Sequence, residues 1–213
     1  MDNFTFYAPT YFDFGKGAEA HVGQLIRRFG GTKVLLHYGG GSIKRSGLYD
    51  RVTKCLKDEK IDFVELGGVK PNPRSGLVYE GIELCKKEGV DFILAVGGGS
   101  TIDSSKAIAA GTCYDGDFWD FYEKKATIEK ALPIGTILTI AAAGSEGSMN
   151  TVINNEETGF KKGAASEHLR PKFSIMNPEL TYTLPEYQTA SGCVDIIMHT
   201  ICLLYTSDAA DEL

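Results

Sequence analysis

The chain has 213 residues and a mass of 23.1 kDa, with 43% hydrophobic and 23% charged residues, a balance that excludes an intrinsically disordered chain. A formal net charge of −6 and a pI near 5.3 argue against nucleic acid as the main partner, and no apolar run approaches the roughly 18 residues of a membrane span. The start, Met1-Asp2-Asn3-Phe4, lacks the basic and apolar regions of a secretory signal. The five cysteines are odd in number, widely spaced and free of any CxxC, so they read as scattered thiols in a reducing cytoplasm.

Residues 4–14, rich in Phe, Tyr and Thr, read as strands of a hairpin or an edge ribbon, and 19–29 as an amphipathic helix with Val22, Leu25 and Ile26 on one side. Residues 33–38 form a short apolar strand, Gly39 to Ser42 turn the chain, and 47–57 are helical, with Leu48, Val52 and Leu56 in register. A strand at 62–66, the turn Pro71-Asn72-Pro73, a helix at 75–88 and a strongly apolar strand at 91–96 follow. After Gly97-Gly98-Gly99-Ser100 comes a small-residue helix at 101–111, then a strand at 133–140, a loop at 144–149, a small hairpin from 152–153 and 160–163, and a strand at 172–176. This alternation predicts an α/β fold with a doubly wound, mostly parallel sheet. Beyond Pro185 only helical periodicity continues, over 186–201, so residues 179–184 read as a connection between domains.

Two glycine-rich turns each follow a strand and precede a helix. Glycine lets the backbone approach a ligand closely, and the free N–H groups of the helix start suit phosphate. One such turn is as readily a tight turn without a ligand; two in one sheet point to a dinucleotide. Neither is the GxGxxG fingerprint nor a Walker A loop. The first turn contains no acid, and Ser42, Lys44 and Arg45 suit a 2′-phosphate, or else form an ordinary solvated helix start. Asp195 and His199, four apart, share a helix face and could converge on a cation, or be a surface pair.

Together with Phe14-Gly15-Lys16-Gly17 and Gly144-Ser145-Glu146, the order GGGSxxDxxK at 97–106 and DxxxHT at 195–200 resembles the iron-containing (group III) alcohol dehydrogenases, in particular their butanol dehydrogenase branch, from about residue 4 to 201. The resemblance implies a Rossmann-like, dehydroquinate synthase-like dinucleotide domain at 1–184 and, at 185–201, the first helix of a truncated all-helical metal domain. It implies hydride transfer between NAD(P)H and a short-chain aldehyde or alcohol, with Fe²⁺ or Zn²⁺ polarising the oxygen.

By the same matching, Gly98, Gly99 and Ser100 hold the pyrophosphate, and Gly40, Gly41 and Ser42 the adenosine side. Thr139 and Ser145 line the third loop, Lys161 lies on the nicotinamide side, and Asn72, Asp103 and Asn150 belong to the cofactor site. Asp195 and His199 are the first two metal ligands. A GGGS first turn implies NADP(H) over NAD(H). The resemblance also implies a cytoplasmic homodimer with no nucleic-acid or membrane partner. Ala141 and Ala143 stand where the family often has Pro and Thr, which removes one hydroxyl contact. Relatives of this architecture also include a metal-dependent cyclising lyase of the dehydroquinate synthase type, and a nucleotide-binding module without catalysis is a third reading.

The last residues, 202–213, look like the translation of a transposase adaptor used in DNA library preparation. Without their three acids the net charge would move from −6 to −3.

Overall fold

The protein is described by a computed structural model covering residues 3, 5 and 7–206. Six strands form one parallel sheet: β1 (Tyr11–Phe14), β2 (Lys33–Tyr38), β3 (Asp62–Leu66), β4 (Phe92–Gly97), β5 (Ile134–Leu138) and β8 (Phe173–Met176), ordered β1-β8-β5-β4-β2-β3. β6 (Asn150–Asn154) and β7 (Lys161–Ala165) make a separate antiparallel hairpin, as the sequence predicts.

Both sheet faces are dry because the central strands are apolar on both sides. In β2 and β4, Val34, Leu36, Phe92, Leu94 and Val96 face α1 (Val22–Arg28) and α3 (Leu48–Asp58). Leu35 and Ile93 face α4 (Ser75–Glu88) and α5 (Gly99–Thr112). Truncating Leu94 to Ala would cost about 2–5 kcal/mol and Phe92 to Ala about 3–5 kcal/mol. α5 is built of small residues because it packs hard on α4: Gly81 of α4 receives Ile108, and Gly111 of α5 receives Ile82. α4 stops at Gly89, whose φ of 66° is left-handed, and Val90 N–H closes back on the Cys85 carbonyl at 3.0 Å.

Several local readings are corrected. Of the two readings of the first segment the edge position holds and the hairpin does not: among the described residues β1 is a single edge strand running parallel to β8, with Tyr11 opposite Phe173. Phe4 and Phe6 lie outside the described residues. The expected helix at 19–29 divides into a 3₁₀ turn, Ala18–His21, and α1. Its tight start keeps buried Glu19 on Arg51 at 3.0 Å and on Asn177 at 2.8 Å. Two single-turn helices, α2 (Ser42–Arg45) and α6 (Trp119–Tyr122), were not predicted.

α7 (Glu186–Thr206) stands largely in solvent, with Val194, Ile197 and Met198 exposed. It runs past Ile201 to Thr206, and residues 207–213, the rest of the segment expected to be an adaptor translation, lie outside the described residues. Among the described residues, no helix is long and apolar enough to cross a membrane.

Candidate nucleotide and metal site

The order of the parallel strands reverses between β2 and β4: from β2 the chain steps outward to β3, then back across to β4. Ligands of open α/β sheets bind at the carboxyl ends of the strands at such a point. Both glycine-rich turns lie there, 39–41 after β2 and 97–99 where β4 passes into α5.

At the second turn Gly98 caps α5 in extended geometry, with φ −93° and ψ −169°. The first-turn N–H groups of a helix have no intrahelical partner, so those of Gly99 and Ser100 suit a phosphate oxygen. The backbone is also crowded. A Cβ on Gly98 would run into Cγ2 of Ile140, and one on Gly99 would sit 3.0 Å from Cβ of Ala143. The cradle therefore fits a pyrophosphate only while both positions stay bare.

Asn72 faces this helix start. Its φ of 58° is left-handed, which Asn tolerates. Its N–H donates to Ser100 Oγ at 3.3 Å, and its Oδ1 accepts from Lys161 Nζ at 2.8 Å. Lys161, expected on the nicotinamide side, thus stands next to the second glycine turn, carried there by the hairpin.

The first turn is exposed at Gly40, Gly41 and Ser42. Its two cations part company. Lys44 Nζ folds back over the Tyr38 and Tyr49 rings, 5.3 and 4.7 Å from their centroids, and lies 3.9 Å from Glu65. Glu65 also accepts from both tyrosine hydroxyls. Arg45 stays exposed, with Nη1 3.0 Å from where a Gly41 Cβ would be.

Two clefts adjoin the turns. One of about 670 Å³ is lined by Ser42, Ile43, Thr139, Ile140, Asn177 and Leu180 among others. The other, about 600 Å³, lies between residues 140–142 and α7 and includes Asp195. Ile140 is a wall of both, so an extended ligand could cross from one to the other. Thr139 is held at the start of that wall by its N–H bond to Gly97 at 3.1 Å.

Ser145, Asp103 and Asn150, all expected at the cofactor, belong to one hydrogen-bond network around Lys106, with Ser145 buried, Asp103 half-buried and Asn150 exposed and joined through its backbone carbonyl. Ser145 Oγ donates to Asp103 Oδ1 at 2.6 Å, and Asp103 Oδ2 accepts from Val152 N–H at 3.0 Å. Ser145's proton is therefore committed, leaving it only as an acceptor. The network closes on Lys106, fully buried, whose Nζ bonds the Ser145 hydroxyl at 2.9 Å and the Asn150 carbonyl at 2.9 Å. Burial pushes the Asp103 carboxyl above its ordinary value, opposed by the Ser145 hydroxyl and Lys106. Burial likewise pushes the Lys106 ammonium down to about 8, opposed by Asp103 and Glu146. Sequence reasoning missed Lys106 as a functional residue. Its signal was a lone cation one helical turn after Asp103, in a helix otherwise made of small and apolar residues.

Asp195 and His199 share one face of α7, with Nε2 3.6 Å from Oδ1 and both side chains exposed. A carboxylate and an imidazole suit Fe²⁺ or Zn²⁺. They fit as part of a donor set: among the described residues no group of three or more His, Cys, Asp or Glu gathers to hold a metal ion.

The family model described as iron-containing alcohol dehydrogenase matches residues 9–178. The chain is 54% identical over 199 residues to a probable NADH-dependent butanol dehydrogenase 2 of Bacillus subtilis, covering 93% of this chain and 51% of that protein. It is 40% identical over 204 residues to an NADPH-dependent aldehyde reductase of Escherichia coli, covering 94% and 52%. Among solved structures, an NADH-dependent butanol dehydrogenase A from Thermotoga maritima superposes with a TM-score of 0.91 at 50% identity, covering 94% of this chain and 50% of that one. The chain thus spans about half the length of the curated relatives it matches.

Proposed function

The chain belongs to the iron-containing alcohol dehydrogenase family, and on that premise we propose that it contributes the cofactor half of an NAD(P)H-dependent alcohol dehydrogenase, or aldehyde reductase, acting on short-chain aldehydes or alcohols. The observation that carries this reading is the pair of glycine-rich turns flanking the strand-order reversal, with the bare Gly98-Gly99 cradle at the start of α5. When bound, the nicotinamide supplies the hydride and a divalent metal polarises the carbonyl oxygen. The chain's own residues do the rest. The α5 N–H groups and Ser100 bind pyrophosphate, while Lys161 and Asn72 add a cation and an amide beside it. Ser42, Thr139 and Leu180 line the cleft for the adenosine, and Ile140 to Ala142 direct the cofactor toward the α7 face that carries Asp195 and His199.

The cofactor proposed is NADP(H) in preference to NAD(H). Support comes from the acid-free turn at 39–45, the exposed Arg45, and the commitment of Glu65 to Tyr38, Tyr49 and Lys44, which withholds that carboxylate from a ribose hydroxyl. The relatives at 50–54% identity carry NADH-dependent names, and the relative at 40% an NADPH-dependent one.

Residues 1–184 are proposed as the dinucleotide domain and 185–201 as the first helix of a helical unit, a division supported by the exposure of Val194 and Ile197 on α7. The proposed setting is a cytoplasmic homodimer with a small aldehyde or alcohol as substrate.

Mixing the full-length protein with butyraldehyde and either reduced cofactor, and following loss of the reduced nicotinamide's near-ultraviolet absorbance, tests the reading. Turnover with a higher kcat/KM for NADPH is expected. No oxidation of either cofactor would overturn the function, and NADH equal to or better than NADPH would overturn the cofactor choice.

A further inference from the structure

We propose that Lys106 is a positioning residue whose ammonium fixes the wall of the nucleotide cleft by gathering the β5–β6 loop onto the helix that carries the phosphate cradle. The inference deepens the dinucleotide reading and rests on it.

Between Leu138 and Asn150 the chain forms no helix or strand. Its own backbone bonds are short turns, Gly147 N–H to Gly144 carbonyl and Ser148 N–H to Ser145 carbonyl. Three carbonyls of this region turn inward onto one cation: Lys106 Nζ lies 2.7 Å from Ser145 O, 2.9 Å from Ser148 O and 2.9 Å from Asn150 O. Two hydroxyls complete the shell, Ser145 Oγ at 2.9 Å and Ser148 Oγ at 3.3 Å. Through Ser145 the cation reaches Asp103, and Asp103 in turn holds the start of β6 at Val152.

This arrangement has a cost. Taking an ammonium fully out of water disfavours its charge, and a residue needed only to fill space would be Leu or Met. What the ammonium offers is three donors that draw the Ser145, Ser148 and Asn150 carbonyls together at one point. The direction of the hold is specific. Lys106 sits on α5 about two turns beyond the Gly98-Gly99 cradle, and the loop it gathers also carries Ile140, which lies against Gly98 and lines both clefts, and Ala143, which lies against Gly99. Loss of the ammonium should therefore be felt first as poorer cofactor binding.

The test uses the full-length protein with Lys106→Ala, titrated with NADPH by fluorescence, alone and with added propylammonium, whose three carbons and ammonium replace the missing atoms from Cγ to Nζ. Tert-butylammonium has the same charge and the wrong shape. The expected result is an NADPH Kd raised about ten-fold or more, a KM for NADPH that rises by a larger factor than kcat falls, and saturable recovery with propylammonium alone. Unchanged NADPH affinity in Lys106→Ala would overturn the proposal, as would weakened binding that propylammonium does not restore, which would mark a packing role. If the variant does not fold alone, refolding with propylammonium should recover NADPH binding, and failure to recover would overturn the proposal. Absence of NADPH binding in the unsubstituted protein would instead overturn the dinucleotide reading on which the inference rests.

Discussion

His37 on β2 and Ser104 on α5, both buried, meet through one hydrogen bond of 2.9 Å between Nε2 and Oγ, while His37 Nδ1 lies 2.8 Å from the Leu66 carbonyl. A carbonyl can only accept, so Nδ1 carries the ring proton and Nε2 accepts from the Ser104 hydroxyl. A neutral imidazole thereby joins β2, the end of β3 and α5 beneath the strand-order reversal where the cofactor is proposed to lie.

That neutrality makes stability depend on pH. Burial is the main cause pushing the His37 imidazole down to about 4, opposed by its bond to the Leu66 carbonyl. The unfolded chain takes up this proton below about 6.5, whereas the folded chain resists until about 4. The stabilisation is therefore complete above about pH 6.5 and is lost as pH falls toward 4, by about 3 kcal/mol in total. Urea unfolding of the wild type and of His37→Leu across this range should show a less stable variant at neutral pH with a shallower acid slope. Parallel slopes would place the acid sensitivity elsewhere.

Crowding at the phosphate cradle predicts an effect of even one methyl group. Gly98→Ala puts Cβ against Cγ2 of Ile140, so either the wall of both clefts moves or the first turn of α5 does. NADPH affinity should fall about ten-fold or more, about 1.4 kcal/mol, by calorimetry on the full-length protein. Wild-type affinity in Gly98→Ala would remove this turn from the binding site.

The strands and the two glycine turns were legible because each rests on a contiguous run: β2 and β4 are apolar on both faces, and the glycines follow immediately. Elements decided by distant partners were not. β1 finds its ladder on β8, pairing Tyr11 with Phe173, and no pattern within residues 4–14 announces a parallel partner so far along the chain. The contacts of Lys44, read either as suiting a 2′-phosphate or as part of a solvated helix start, were not legible because Tyr38, Tyr49 and Glu65 come from three separate elements. The motif shows the position of Ser145 but not the Asp103 and Lys106 side chains that bond its hydroxyl, because these come from a helix some forty residues earlier.

Cofactor choice has its own handle at Gly41. A carboxylate there would begin at a Cβ 3.0 Å from Arg45 Nη1, so Gly41→Asp should pair with the exposed guanidinium and repel a 2′-phosphate. It would also offer an acceptor to a ribose 2′-hydroxyl. The ratio of kcat/KM for NADPH over NADH should drop about ten-fold or more in the full-length enzyme. A ratio unmoved by Gly41→Asp would show that the 2′ position is recognised away from this turn.

The metal face makes the last prediction. Asp195 and His199 lie one turn apart on α7, 3.6 Å between Nε2 and Oδ1, with side chains 60% and 77% exposed. Two exposed ligands on one helix hold a divalent ion weakly, because a catalytic site generally needs three protein ligands and still leaves a position for substrate. No third donor gathers beside them among the described residues. The chain of 213 residues, purified and dialysed, should therefore carry no stoichiometric iron or zinc by elemental analysis and should not reduce butyraldehyde. His199→Ala should leave that metal content unchanged, whereas in the full-length protein the same substitution should strip the metal and abolish turnover. One equivalent of metal in the 213-residue chain, lost on His199→Ala, would mean that a third ligand comes from within it.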